Sequence, residues 1–233
     1  MPKPAAERRK CGIVADVTGT EAREDETTAR SAIPSWGVRI LAAPVIGIVM
    51  GAVTEVLQKY LDLPWNSLVN AASPWLAPAF AVGALQRRPW GAAVAGLATC
   101  VFELVGYYVT AAARGYFAGG GHGILLFWGG CAVAGGPVLG AAGRLWWRGH
   151  GRLRGLGAAV LAAAFLAEAI VAYWWRLHYT ASAVLFAGLG VAVGMLLGLR
   201  GRRYVDLARW LLVVLPIGLL AELALGLVYD QTF

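Results

Sequence analysis

From Val38 onward the chain is a succession of apolar runs, broken at regular intervals by short polar or basic connections. The pattern predicts helices at 38–60, 67–86, 90–113, 122–143, 155–175, 180–199 and 207–228. A bilayer crossing needs about 20 apolar residues, so all seven are expected to span. The second segment is the most polar. Asn66, Asn70, Ser73, Pro74 and Pro78 predict a kinked helix there, which a membrane protein tolerates where neighbours satisfy the freed backbone groups. Gly190, Gly194 and Gly198 recur every four residues, and Gly47 and Gly51 share that spacing. Such small-residue faces let helix backbones approach closely.

Composition places these runs in lipid. Of 233 residues, 59% are apolar and 14% charged, with a mean hydropathy of +0.63. Soluble domains carry about 25% charged residues, so a water-soluble globule is excluded. The expected fold is an all-α polytopic bundle of the cell membrane, residues 36–233, with the lipid bilayer as its first partner. Most tryptophans, including Trp36, Trp65, Trp90, Trp146, Trp147, Trp174, Trp175 and Trp210, fall near span ends as an interfacial belt does. Trp75 and Trp128 lie deeper.

Residues 1–35 stand apart. Lys3, Arg8, Arg9, Lys10, Arg23 and Arg30 are balanced by Glu7, Asp16, Glu21, Glu24, Asp25 and Glu26. No apolar stretch follows the early basic run, so no cleaved signal peptide is expected. The composition predicts a disordered cytoplasmic tail.

The net charge of +7 suggests nucleic acid until its placement is read. Arg87, Arg88, Arg144, Arg148, Arg152, Arg154, Arg200, Arg202 and Arg203 follow even-numbered segments, whereas only Lys59, Arg114 and Arg176 mark the other side. This is a topology signal that puts the N-terminus inside and Phe233 outside, and no nucleic-acid partner is expected. The connections are too short for a soluble catalytic domain, so any chemistry belongs to the membrane.

Glu55, Glu103, Glu168 and Glu222 each interrupt an apolar run, in Val-Thr-Glu-Val-Leu, Val-Phe-Glu-Leu-Val, Leu-Ala-Glu-Ala-Ile and Leu-Ala-Glu-Leu-Ala. A carboxylate at mid-bilayer costs about 2.5–3.5 kcal/mol on the mildest scale, which makes each a functional candidate. All four lie past the midpoint of odd-numbered segments and are expected at one depth, in the outer half. Lys59, four residues after Glu55, is positioned to pair with it along the helix; no basic residue inside a span serves the others. Burial disfavours the charged form of a carboxyl, and a protonated acid in an apolar pocket is a proton donor.

Polar and aromatic candidates cluster at the same level. Tyr107 shares a helix face with Glu103, and Gln58, Asn66, Asn70, Tyr108, Tyr173, Trp174 and Tyr229 fall in the outer half. Acids beside aromatic faces suit a cation, since ring quadrupoles attract positive charge. Trp75, Tyr107, Asn66, Asn70 and Gln58 are the expected substrate contacts.

No phosphate loop, dinucleotide fingerprint, HExxH or GxSxG motif occurs. Three histidines lie in separate connections and Cys11, Cys100 and Cys131 are scattered, so no metal site, disulfide framework or cofactor is expected. No aspartate-rich run is present to hold magnesium and a diphosphate. Chemistry begun by proton donation remains.

Asn66-Ser67-Leu68-Val69-Asn70-Ala71-Ala72-Ser73-Pro74-Trp75, followed by Arg87-Arg88-Pro89-Trp90 and Gly106-Tyr107-Tyr108, resembles a family of small bacterial integral membrane proteins without a general function. At the level of architecture alone, short-looped helices with intramembrane acids are similar to membrane-bound terpene cyclases, which protonate a polyene or its epoxide. That likeness implies an acid-initiated cyclase of a lipophilic prenylated substrate, and it carries over no catalytic residue. Two other readings stay open: a proton-coupled transporter of a cationic amphiphile, and a membrane subunit without chemistry.

Overall fold

The computed structural model describes residues 36–116, 122–200 and 204–232, so the expected 1–35 tail lies outside it. The regular structure described is helical throughout. We number the helices α1 (Trp36–Gln58), α2 (Ala72–Ala84), α3 (Pro89–Ala113), α4 (His122–Arg148), α5 (Leu156–Glu168), α6 (Thr180–Gly198) and α7 (Tyr204–Thr232). Six of the seven are long and apolar enough to cross a membrane, as in a multi-pass membrane protein. α5 reaches that length by continuing from a 3-10 turn at Gly151–Leu153 and into a π-helical segment at Ala169–Arg176.

The exception is the expected second span. A 3-10 turn at Trp65–Val69 is followed by a break at Asn70–Ala71 and then by α2, only 13 residues long. At 1.5 Å per residue, α2 covers about 20 Å, short of a hydrocarbon core of about 30 Å. Pro74 explains the break. In an uninterrupted helix its missing N–H and its ring would disrupt the bond to the carbonyl of residue 70; in α2 it sits in the first turn, where no such bond is needed. The expected kink is therefore a full interruption.

Side chains complete the broken backbone. Asn66 Nδ2 donates to the carbonyls of Gln58 and Leu61, both at 2.9 Å, and Trp75 Nε1 donates to that of Val69 at 3.1 Å. Ser67 and Ser182 share a hydrogen bond of 2.8 Å, and Tyr173 Oη donates to the Ser67 carbonyl at 3.3 Å.

Close glycine contacts fix the directions of the helices. Gly47 and Gly51 of α1 lie against Thr99 and Glu103 of α3 in ascending order, so these helices are parallel. Gly155 meets Leu207, Gly218 meets Ala163 and Ala167, and Gly226 meets Arg176, so α5 and α7 are parallel. α4 runs opposite to α3 through Gly96 and Gly136, and α6 runs opposite to α5 through Gly190 and Gly194. The small-residue faces read from the sequence are thus helix contacts. Gly155, at φ +76°, opens α5 in a left-handed turn, and a Cβ there would fall 2.6 Å from the Leu207 backbone nitrogen.

α5 is the central element. Its Phe165, and Tyr173 of the π-helical segment that continues it, pack on the fully buried Phe186 of α6, with ring centroids 6.0 and 4.7 Å apart. α7 lies along α5 and exposes most of its other surface, including Leu212, Ile217, Leu220 and Leu227.

Candidate functional site

A cavity of about 580 Å³ opens where α1, α3, α5 and α7 end and α4 begins. Its walls combine Trp75, Tyr107, Tyr108, Phe127, Trp128, Tyr173 and Tyr229 with Leu104, Ile124 and Leu225. Its polar groups are Gln58, Asn70, Glu168, Arg176, Glu222 and Asp230. Trp75 and Trp128 stack at 5.4 Å with planes 20° apart, and Tyr107 leans on Trp75 at 5.7 Å. The two tryptophans read as deep are thus neighbours in one wall.

The four glutamates occupy four different environments. Glu168, at the end of α5, is buried and reaches the first turn of α2. Its Oε1 accepts the Ala72 N–H at 2.8 Å, and its Oε2 accepts the Ser73 N–H at 2.9 Å and the Ser73 hydroxyl. A helix start presents N–H groups without intrahelical partners and a positive dipole end, so Glu168 caps α2 from another helix. Glu222, on the cavity side of α7, accepts no hydrogen bond from any described residue. Of the acids lining the cavity, it alone has no hydrogen bond or ion pair to a described residue.

Two of the four candidate acids, Glu55 and Glu103, do not line the cavity. Glu55 is 7% exposed and pairs with Arg114 at 2.7 Å. The expected partner, Lys59, instead donates to Tyr116 Oη at 2.7 Å. The reason is geometric: α1 and α3 run parallel, and Arg114, just beyond the end of α3, folds back to the level of Glu55. Glu103 is fully buried where α3 meets Gly47 and Gly51 of α1, and neither carboxyl oxygen has a hydrogen-bond partner. The α3 backbone at Glu103 packs against Gly47 and Gly51, while Tyr107, one turn further on, reaches the aromatic walls.

The expected substrate contacts divide similarly. Gln58, Asn70, Trp75 and Tyr107 line the cavity, whereas Asn66 does not. Asn66 is committed to the backbone at the break and accepts from Asn70 Nδ2 at 2.7 Å. Tyr107 Oη donates to Gln58 Oε1 at 2.7 Å, and Gln58 Nε2 donates to Asn70 Oδ1. One polar chain therefore links α3, α1 and the break in the second segment.

Arg176, read from the sequence as a topology charge, and Asp230, not singled out there, also line the cavity. Arg176 ends the π-helical segment, donates to Asp230 Oδ1 at 2.6 Å and to the Gly226 carbonyl at 3.3 Å, and lines the cavity. The available signal was the spacing of Glu222, Gly226 and Asp230, which puts all three on one face of α7.

Outside the spans, Lys59, Arg114 and Tyr116 form a surface cluster. Both cations lie 5.4 Å from the Tyr116 ring centroid. The hydrogen bond from Lys59 lowers the Tyr116 phenol below its ordinary range, and the same bond raises Lys59. The hydrogen bond to Glu55 raises Arg114. Among the described residues, no three His, Cys, Asp or Glu side chains gather as a metal site would require.

Residues 30–230 match DUF6518, a family of unknown function, and the chain belongs to that family. No curated protein and no solved structure matches the chain.

Proposed function

We propose that this DUF6518 member is a cell-membrane enzyme that cyclises a lipophilic prenylated substrate, with Glu222 as the proton donor. The observation that carries this reading is the Glu222 carboxyl, which faces an aromatic-walled cavity without a hydrogen-bond partner among the described residues. The volume of about 580 Å³ falls within the ~300–1,000 Å³ of small-molecule sites. In the proposed step the Glu222 O–H bond breaks and its proton passes to a terminal alkene carbon or an epoxide oxygen. The resulting cation closes a ring while Trp75, Trp128, Tyr107 and Phe127 shield it. Loss of a proton to Glu168 ends the reaction. A carboxylate offers about four lone-pair sites, so the three donors from Ala72 and Ser73 leave room for that proton. The proton then returns to Glu222 across the cavity, and the net reaction is an isomerisation that consumes no cofactor.

One observation favours a second reading. α2 begins at a break inside the bundle, with its first turn beside the cavity, and broken helices of this kind form substrate sites in many secondary transporters. In that reading Glu168 and Glu222 exchange protons for a cationic amphiphile.

The two readings separate in one experiment. Membranes containing the full chain are incubated with linear prenylated substrates, and products are followed by mass and chromatography. The cyclase predicts a product of unchanged mass and altered retention. No consumption of any linear substrate, together with proton-coupled movement of a cationic amphiphile in vesicles, overturns the cyclase in favour of the transporter.

A further inference from the structure

Arg176 occupies an unusual seat. Its guanidinium lies directly on Gly226, where a Cβ would fall 2.7 Å from Cζ and 3.0 Å from Nε. Any side chain at 226 would displace it. Glu222 stands one turn before Gly226 on that face of α7 and Asp230 one turn after it, each about 6 Å away along the helix axis at 1.5 Å per residue. The cation therefore sits between two carboxyls of one row and in the structure is bonded to the outer one, Asp230.

The two carboxyls differ in what they offer a cation. The Asp230 side chain is 59% exposed and that of Arg176 27% exposed. An exposed pair of this kind contributes only about 0–1 kcal/mol, and Asp230 released from it is solvated by water. Glu222 lies deeper, among aromatic walls, where an ion pair is less screened by solvent. While Glu222 carries its proton it has little attraction for Arg176. Once it has given the proton away, it is the stronger partner.

From this row we propose that Arg176 is a mobile counter-ion, shifting from Asp230 to Glu222 when Glu222 gives up its proton. The inference rests on the reading of Glu222 as the proton donor. The step balances: the Glu222 O–H bond breaks, its proton joins the substrate, and Arg176 keeps all its protons while exchanging Asp230 Oδ1 for a Glu222 oxygen as acceptor. Returning the proton to Glu222 sends Arg176 back to Asp230. Gly226 supplies the open track between the two positions. The other charged group lining the cavity is Glu168, which stays bound to the first turn of α2. Arg176 is thus a positioning residue, acting through Glu222.

The test combines turnover with infrared difference spectroscopy of the full chain in detergent, taken as the solution pH is stepped. In wild type, loss of the protonated-carboxyl band of Glu222, identified by its absence in Glu222→Gln, is expected together with a shift of the guanidinium band, identified by its absence in Arg176→Lys. Gly226→Leu, which closes the track, should uncouple the two bands. With a turned-over substrate, Arg176→Gln should lower kcat about tenfold or more, the scale of a lost charged hydrogen bond, at unchanged KM, and Arg176→Lys should restore part of it. A Glu222 band that disappears without any guanidinium shift overturns the exchange, even if cyclisation is observed. Coupled bands in a protein that cyclises nothing leave the exchange standing and remove the cyclase.

Discussion

Glu168 accepts both the backbone N–H and the side-chain hydroxyl of Ser73, 95 residues earlier in the chain. This contact joins the central helix to the restarted second segment, and it gives one of four similar-looking acids a structural task beside its proposed chemical one. Glu168→Gln tests the structural task through stability rather than turnover. The amide would turn an NH2 group toward N–H donors and leave at least one of them unsatisfied, a loss of about 1–3 kcal/mol. A lowered Tm in detergent is expected for Glu168→Gln and an unchanged one for Glu222→Gln. Equal Tm values for the two variants would remove the capping role.

The glycines give a second test, independent of function. A Cβ at Gly83 would run into the Gly140 carbonyl oxygen and fall 2.6 Å from its carbon, whereas Gly188 has nothing within 4 Å. Gly83→Ala should destabilise by roughly 1–3 kcal/mol, as overpacking does. Gly188→Ala should be neutral or stabilise, because alanine is favoured over glycine in a helix by up to about 1 kcal/mol. Thermal unfolding of the two variants checks the contrast, and a Gly83→Ala protein as stable as wild type would contradict the packing described.

Seven helical segments were legible because apolar periodicity is a local signal, and the four glutamates because an acid inside an apolar run is conspicuous. The break at Asn70–Ala71 was legible only as a kink: Pro74 announces a disturbance, but the Glu168 carboxylate that stabilises a restart there comes from 96 residues away. Arg114 was counted as a rim charge because its partner Glu55 is 59 residues distant, and the nearer Lys59 offered an easier pairing. That Glu55 and Glu103 do not line the cavity was not legible either. Depth can be read from position along a helix, but the direction a face takes within the bundle depends on which helices pack against it.

The surface cluster predicts a pH response. Tyr116 is held below its ordinary value of 10.0 by Lys59, and Lys59 above its ordinary 10.5 by Tyr116. The Lys59 contribution to stability is present below pH 10.5 and lost as pH rises through its raised folded value. For Tyr116 the sign reverses: its contribution is present above pH 10.0 and lost as pH falls through its lowered folded value. Ultraviolet difference titration of wild type against Tyr116→Phe should show one tyrosine ionising below pH 10.0, and Lys59→Met should return it to the ordinary range. An unshifted Tyr116 in wild type would dissolve the contact.

Orientation is open to a direct test. The arginine-rich connections after α2, α4 and α6 predict that the cavity opens toward the outside, beside the end of α7. A reporter fused after Phe233 should be active only outside the cytoplasm. Activity confined to the cytoplasm would invert the bundle and turn the cavity inward.

The central claim is that Glu222 donates the proton. A general acid contributes about 10²–10⁴-fold, and Gln keeps the size and hydrogen-bonding capacity of Glu while lacking its acidic proton. The decisive measurement compares cyclised product from membranes of wild type and Glu222→Gln at equal protein level and equal Tm, with a linear prenylated substrate. A loss of about 100-fold or more is expected in the variant, and wild-type product from Glu222→Gln would rule Glu222 out as the donor.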